Sequence, residues 1–284
     1  MVLEHYGVPT APFACIPPRN SWPGVDFCPL SVIASSPYCD ALDSYPLFVK
    51  PASVSTGIGI GRINKVHDRK QLAHIVEEIT KQYPTQTVLI ERFLGGREFT
   101  VGIIGTGAAS YVIGVRELVF LKGNPQFPIN PECAYDTYDP DLFELDVYGH
   151  DLKHKWSQNP QYVDMDLSDN VARAAGDVAL EAWKLLGCRD GGRVDIRHDK
   201  MGLGAVPNFI EVSSDSCSLY SSPVVTFTMF FFCPQVNPLA GLTPNWSDLP
   251  ELAKAKGISF DRLLELIIDS ALKRRSSIRD HSNA

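Results

Sequence analysis

Gly95 and Gly96 separate two β-type runs, residues 88–93 and residues 98–104, near the first third of the chain. Paired glycines carry no side chains to pack and favour a sharp change of direction, so one continuous strand through them is ruled out. Before the break, a strand at residues 47–50 is followed by a small-residue loop at residues 51–61. Asp68 then caps a helix whose Leu72, Ile75, Val76 and Ile79 recur at i, i+3, i+4 and i+7. After the break come β-type runs at residues 99–105 and 110–120, parted by a glycine-rich turn.

A helix is expected from the Ser168–Asp169 cap to Gly187, with Val171, Ala175, Val178, Ala182 and Leu185 on its apolar face. Strands at residues 193–197 and 208–212 follow, joined by the turn-like sequence KMGLGA. Asp248 and Pro250 open a short helix that Gly257 closes, and Ser259 opens a longer one carrying Leu263, Leu264, Ile267, Ile268 and Ala271. The first 45 or so residues, rich in proline, read as loop, and so do residues 122–166; the tail beyond Arg274 reads as frayed.

Net charge is −7, which disfavours nucleic acid or an anionic membrane as the main partner. The seven cysteines, at positions 15, 28, 39, 133, 188, 217 and 233, form no C-x-x-C pair, and no signal peptide precedes them. Reduced thiols in a cytoplasmic protein are the expectation. No stretch approaches the ~20 apolar residues that span a bilayer. The most apolar run, residues 224–233, is short and is closed by Pro234.

Three stretches carry residue types suited to chemistry. In VKPASVSTGIGIGRI, residues 49–63, a strand ends at Lys50 and enters small residues, an arrangement that can hold a polyphosphate on backbone N–H groups and one cation. A hairpin turn explains the same residues, and neither a Walker loop nor a G-x-G-x-x-G pattern is present. In VLIERFLGGREFT, residues 88–100, the break frees backbone groups for an adenine edge, with Glu91 an acceptor for the amino group and Glu98 for ribose hydroxyls; solvated carboxylates on an edge strand are the plainer account. In GGRVDIRHD and PNFIEV, Asp195 and Glu211 fall on successive strands of one hairpin. Two carboxylates on one face suit Mg²⁺, and Arg193 can steady charge on a transferring phosphoryl group; salt bridges would use the same residues.

In their order, these stretches resemble the ATP-grasp fold, and specifically the D-alanine–D-alanine ligase family, from the GVPTAPF segment at Gly7 to the closing helix. The resemblance implies two α+β lobes sandwiching a nucleotide: a first lobe at residues 1–94, which includes the remnant of a preceding junction, and a C-terminal lobe at residues 95–284. It implies ATP and Mg²⁺ (or Mn²⁺) as cofactors, small amino acids as substrates, a cytoplasmic enzyme that forms C–N bonds, and a homodimer. Position by position, Lys50 corresponds to a phosphate lysine, and Thr56, Gly57 and Ile58 to a loop over the phosphates. Glu91, Phe93, Leu94 and Glu98 correspond to adenine and ribose contacts, and Lys155 to a second phosphate lysine. Arg193 corresponds to the arginine of the acyl-phosphate step, Asp195, Glu211 and Asn237 to metal ligands, and Gly241 to an oxyanion donor, with Ser247 near the second amino acid.

Two departures stand out. The family pattern E-V-N-x-x-x-G is broken after Glu211, yet joining Glu211 to Val236 restores it as FIE-VNPLAGL. The intervening residues 212–235, 24 in all, are hypothesised to translate a retained intron. Val212-Ser213 can be encoded GTA-AGT, a splice donor, and FTMFFFCPQ can encode a pyrimidine tract ending in CAG. A genuine loop insertion is the alternative, although its exposed apolar run would invite aggregation. A mature transcript carrying all these codons would remove the intron hypothesis. The second departure is that the resemblance implies a further lobe ahead of MVLEHYGVPTAPF.

Overall fold

The computed structural model describes residues 2–21, 28–52, 62–119, 161–217, 236–237 and 241–282. Two sheets organise them. The first has four strands in the order β1-β4-β2-β3: β1 Phe13–Ile16, β2 Leu47–Pro51, β3 Lys65–Val66 and β4 Val88–Arg92. The second has six strands in the order β10-β9-β8-β5-β6-β7: β5 Glu98–Ile104, β6 Tyr111–Val119, β7 Gln161–Met165, β8 Cys188–His198, β9 Pro207–Cys217 and β10 Val236–Asn237. Gly95 and Gly96 stand between β4 and β5, as the break requires. A side chain on Gly96 would run into the Lys200 carbonyl oxygen and the His198 backbone, so the crossing is tight.

Each sheet buries one face on its own helices. In the first sheet, Ala14, Ile16, Leu47, Val49, Val66, Val88 and Ile90 pack against Leu72, Ile75, Val76 and Ile79 of α4, Arg69–Gln82. The Asp68 carboxylate accepts from the N–H groups of Lys70 and Gln71, so cap and apolar face both match the sequence expectation. In the second sheet, Phe99, Val101, Ile103, Val115, Val194, Ile196 and Phe209 pack on α5, Asn170–Leu185, capped by Asp169. The centre of α5 is Ala172, Ala175, Ala179, Ala182 and Trp183, with Val171, Val178 and Leu185 at its flanks. The expected apolar stripe is thus rotated toward the alanines, because small side chains let the helix axis approach the sheet. Trp183 fills the remaining space and donates its indole N–H to the Gly105 carbonyl at 3.1 Å.

Three expectations change. The early segment contains a strand, β1, and the short helices α1 Val2–His5, α2 Pro29–Ser35 and α3 Cys39–Leu42. Leu3 and Val8 pack in the α5 core, and Pro9 accepts from the Phe209 N–H at 2.9 Å, so this segment runs from the second sheet to the first. Residues 161–165, expected to be irregular, form β7 and pair with β6. The last helix, α7 Phe260–Ser282, continues past Arg274 rather than fraying there, and Arg274 meets the Asp190 carboxylate at 2.6 Å. No described helix is long and apolar enough to cross a membrane, and among the described residues Cys15, Cys28, Cys39 and Cys188 take part in no disulfide.

His198, at the end of β8, is buried against the Phe99 ring at 5.3 Å, and its Nε2 has no hydrogen-bond partner. Burial, and then the nearby Arg97 guanidinium, pull its pKa down to about 4. The folded protein therefore holds this imidazole neutral, while the unfolded chain takes up a proton near pH 6.5. Stability from this residue is complete above about pH 6.5 and is lost as the pH falls toward about 4. Urea midpoints for wild type should fall across that window more steeply than those of His198→Gln; parallel curves would contradict the assignment.

Candidate functional site

Since one face of each sheet is apolar, strand alternation sends the remaining side chains to the other face. In the first sheet that face carries Phe48, Lys50 and Glu91, for Phe48 lies opposite Glu91 and Lys50 opposite Leu89 in the β2–β4 register. Lys50 Nζ meets Glu91 Oε2 at 2.8 Å, and both residues are buried. The two residues assigned to phosphate and adenine thus form one pair. Cys15 of β1, opposite Leu89 of β4, has its thiol pushed up to about 12 by burial and then by Glu91, so it stays protonated beside that pair.

Phe93 and Leu94 lie in the connection between β4 and β5 and are half-buried. The Phe93 ring has Lys65 Nζ 4.1 Å from its centroid and the Arg197 guanidinium at 5.1 Å, with the Phe48 ring at 6.3 Å. Lys65 belongs to the first sheet and Arg197 to the second, so the two polar faces converge here. Burial and then Arg197 lower the Lys65 pKa. Burial likewise lowers that of Arg197, and Glu98, at 3.0 Å, offsets part of the cost.

On the second sheet the polar face reads across the strands. Thr100 of β5 lies opposite Arg116 of β6 and Asp195 of β8, and Asp195 lies opposite Glu211 of β9. Thr100 donates its hydroxyl to Asp195 Oδ1 at 2.8 Å. Arg193 Nη1 donates to both Asp195 oxygens at 2.9 Å, and reaches Asp248 at 3.3 Å. Arg116 forms a two-pronged pair with Asp164 of β7 at 2.7 and 3.1 Å. Gly241 lies against Ser247: a Cβ there would sit 2.7 Å from the Ser247 hydroxyl, which would have to move aside.

Asn237 does not follow Glu211 on β9. It lies on β10, which runs parallel to β9 with Val236 beside Val212 and Asn237 beside Ser213. Val212 and Ser213 therefore hold the β9 positions at which the family pattern expects valine and asparagine. The side chains of Glu211 and Asn237 lie outside the described residues, as do Thr56, Gly57, Ile58 and Lys155 and residues 218–235 of the insertion. Among the described residues, no group of three or more His, Cys, Asp or Glu side chains is gathered for a metal. The backbone register puts two carboxylate positions opposite each other with an amide position on the next strand, and this oxygen-donor chemistry suits Mg²⁺. Thr100, Asp248, Lys65 and Arg197 escaped the sequence reading. Only the i, i+2 spacing of Arg197 from Asp195, on one face of a strand, offered a signal for any of them.

Known proteins resemble this chain over most of its length. A curated D-alanine–D-alanine ligase of Syntrophotalea carbinolica is 28% identical over 237 residues, 84% of this chain and 58% of its own length. The chain thus spans a little over half of that relative. The ATP complex of the Bacillus anthracis D-alanine–D-alanine ligase superposes with a TM-score of 0.57 at 20% identity, covering 97% of this chain and 65% of that one. An Enterococcus faecalis D-Ala:D-Ser ligase, VanG, gives a TM-score of 0.58 at 18% identity, covering 95% of this chain and 59% of its own. The fold is the ATP-grasp α+β fold of those structures. The family described as D-ala D-ala ligase C-terminus matches residues 2–207, about three quarters of the sequence, and the chain belongs to that family.

Proposed function

We propose that this chain is the ATP-binding part of a carboxylate–amine ligase that works through an acyl phosphate, with D-alanine as the preferred acid. The observation that carries the reading is that residues from three separate stretches fall on the non-core faces of two sheets, and that these faces meet at Phe93. In the first step a carboxylate oxygen attacks the γ-phosphorus of ATP and ADP leaves. In the second, an amine nitrogen attacks the acyl carbon and loses a proton, and phosphate departs as the amide forms.

The protein's part is positioning and charge neutralisation. Lys50, steadied by Glu91, supplies a cation to the phosphates, together with Lys155 and the loop of Thr56, Gly57 and Ile58. Phe93, Leu94 and Phe48 form an apolar wall for adenine, and Glu98 accepts from the ribose. Arg193 balances charge on the phosphoryl group in transit, and the Gly241 N–H faces the oxyanion. Asp195, Glu211 and Asn237 would hold Mg²⁺ (or Mn²⁺), which neutralises phosphate charge. The resemblance alone supports a cytoplasmic homodimer.

The acid partner is open to test, since fold does not settle substrate. With ATP and Mg²⁺, D-alanine should stimulate ADP release by the purified chain, while L-alanine should not. A panel including D-serine and short peptides identifies a ligase of different specificity. Stimulation by no carboxylate in the panel would overturn the ligase reading for this chain. The β10 register supports a second reading, an ATP-binding remnant whose metal face is interrupted. Under it, ATP binds and no acid stimulates turnover.

A further inference from the structure

Two glycines seat a helix on the polar face of the second sheet. Gly102 of β5 lies opposite Gly114 of β6 and opposite Arg193 of β8. A Cβ on Gly102 would stand 3.3 Å from Leu249, and one on Gly114 would stand 3.3 Å from Leu252. The missing side chains leave a trough into which α6, Asp248–Ala255, lowers its buried Leu249, Leu252 and Ala253. Because Leu249 sits over Gly102, the residue before it arrives at the strand position opposite Gly102, which is Arg193. Asp248 Oδ2 is accordingly 3.3 Å from Arg193 Nη1.

That same Nη1 atom holds both oxygens of Asp195, and Asp195 Oδ1 also accepts from Thr100. An Asp195 engaged so fully has little lone-pair capacity left for a divalent cation, and a cation placed there would repel the guanidinium. Asp248 gives Arg193 a second anion from a different element. We infer that Asp248 is a positioning residue that retains Arg193 when Asp195 takes up the metal, so that the arginine stays in the site while the carboxylate is released to its ligand role. This rests on the proposed ligase reading and adds to it the residue that lets one arginine and one metal share a carboxylate.

Mn²⁺ binding to the full chain with ATP present, followed by electron paramagnetic resonance, tests it without relying on turnover. In Asp248→Asn, Arg193 falls back on Asp195, and the Mn²⁺ dissociation constant should rise about tenfold. Asp248→Glu should recover most of the loss, and Glu251→Gln on the same helix should change nothing. In an Arg193→Ala background, Asp248→Asn should have no further effect. If Asp248 merely stabilises the first turn of α6, the melting temperature will drop while Mn²⁺ affinity stays at the wild-type value, or the two losses will add; either result overturns the inference. A wild-type chain that binds no Mn²⁺ with ATP overturns the ligase reading itself, and the inference with it.

Discussion

Deleting residues 212–235, so that Glu211 runs directly into Val236, is expected to tighten Mg²⁺·ATP binding by about 10–100-fold, the usual effect of completing or losing an element of a metal site. The reason lies in the β9–β10 register. Val236 and Asn237 already run beside Val212 and Ser213 in the same direction. The deletion would move them one strand inward, into the β9 positions opposite Val194 and Arg193 that Val212 and Ser213 now hold. Asn237 would then stand two residues from Glu211 on one strand, and so on the same face as it. The cost is the pairing of β9 beyond Ser213, where Ser214, Ser216 and Cys217 face Gly192, Arg189 and Cys188. Circular dichroism must therefore establish that the deletion form folds. Asn237→Ala provides the independent check: it should weaken binding in the deletion form more than in the full chain, where Asn237 stands one strand away from Glu211. Equal losses in both forms would mean that the insertion does not interrupt the site.

Lys50→Met should destabilise the fold by about 3–5 kcal/mol, since it strands the Glu91 carboxylate in a buried setting without its partner. It should also abolish measurable ATP binding. These losses are separable because they have different causes. Adding Glu91→Gln removes the stranded charge, so the double variant should regain most of the stability in urea denaturation. ATP binding should stay lost, because the phosphates still lack their cation. If the double variant regains both, Lys50 serves only to neutralise Glu91 and does not touch nucleotide.

What the sequence made legible divides along the range of the interactions. The α4 cap at Asp68 and its apolar face, the break at Gly95 and the β8–β9 hairpin are local, and each was readable from neighbours a few residues apart. β1 was not readable: four residues flanked by prolines become a strand only because β4 offers them an edge. β7 was hidden for the same reason, its place defined by the Arg116–Asp164 pair across 48 positions of sequence. In the candidate site, Lys50, Asp195 and Arg193 could be named from their motifs, but their pairings could not. Asp248 reads as an ordinary acidic residue at a helix start, and only the Gly102–Gly114 trough brings it to Arg193. The alanine-centred face of α5 was misread because periodicity weights large apolar residues, whereas close packing on a sheet selects small ones.

The central claim is that the two polar sheet faces together hold a nucleotide. Isothermal titration of Mg²⁺·ATP into the full-length chain, alongside the Lys50→Met/Glu91→Gln variant, tests it most directly. The account predicts saturable one-to-one binding to the wild type and none to the variant. Absence of binding to a folded wild type, or equal binding to both proteins, would contradict it.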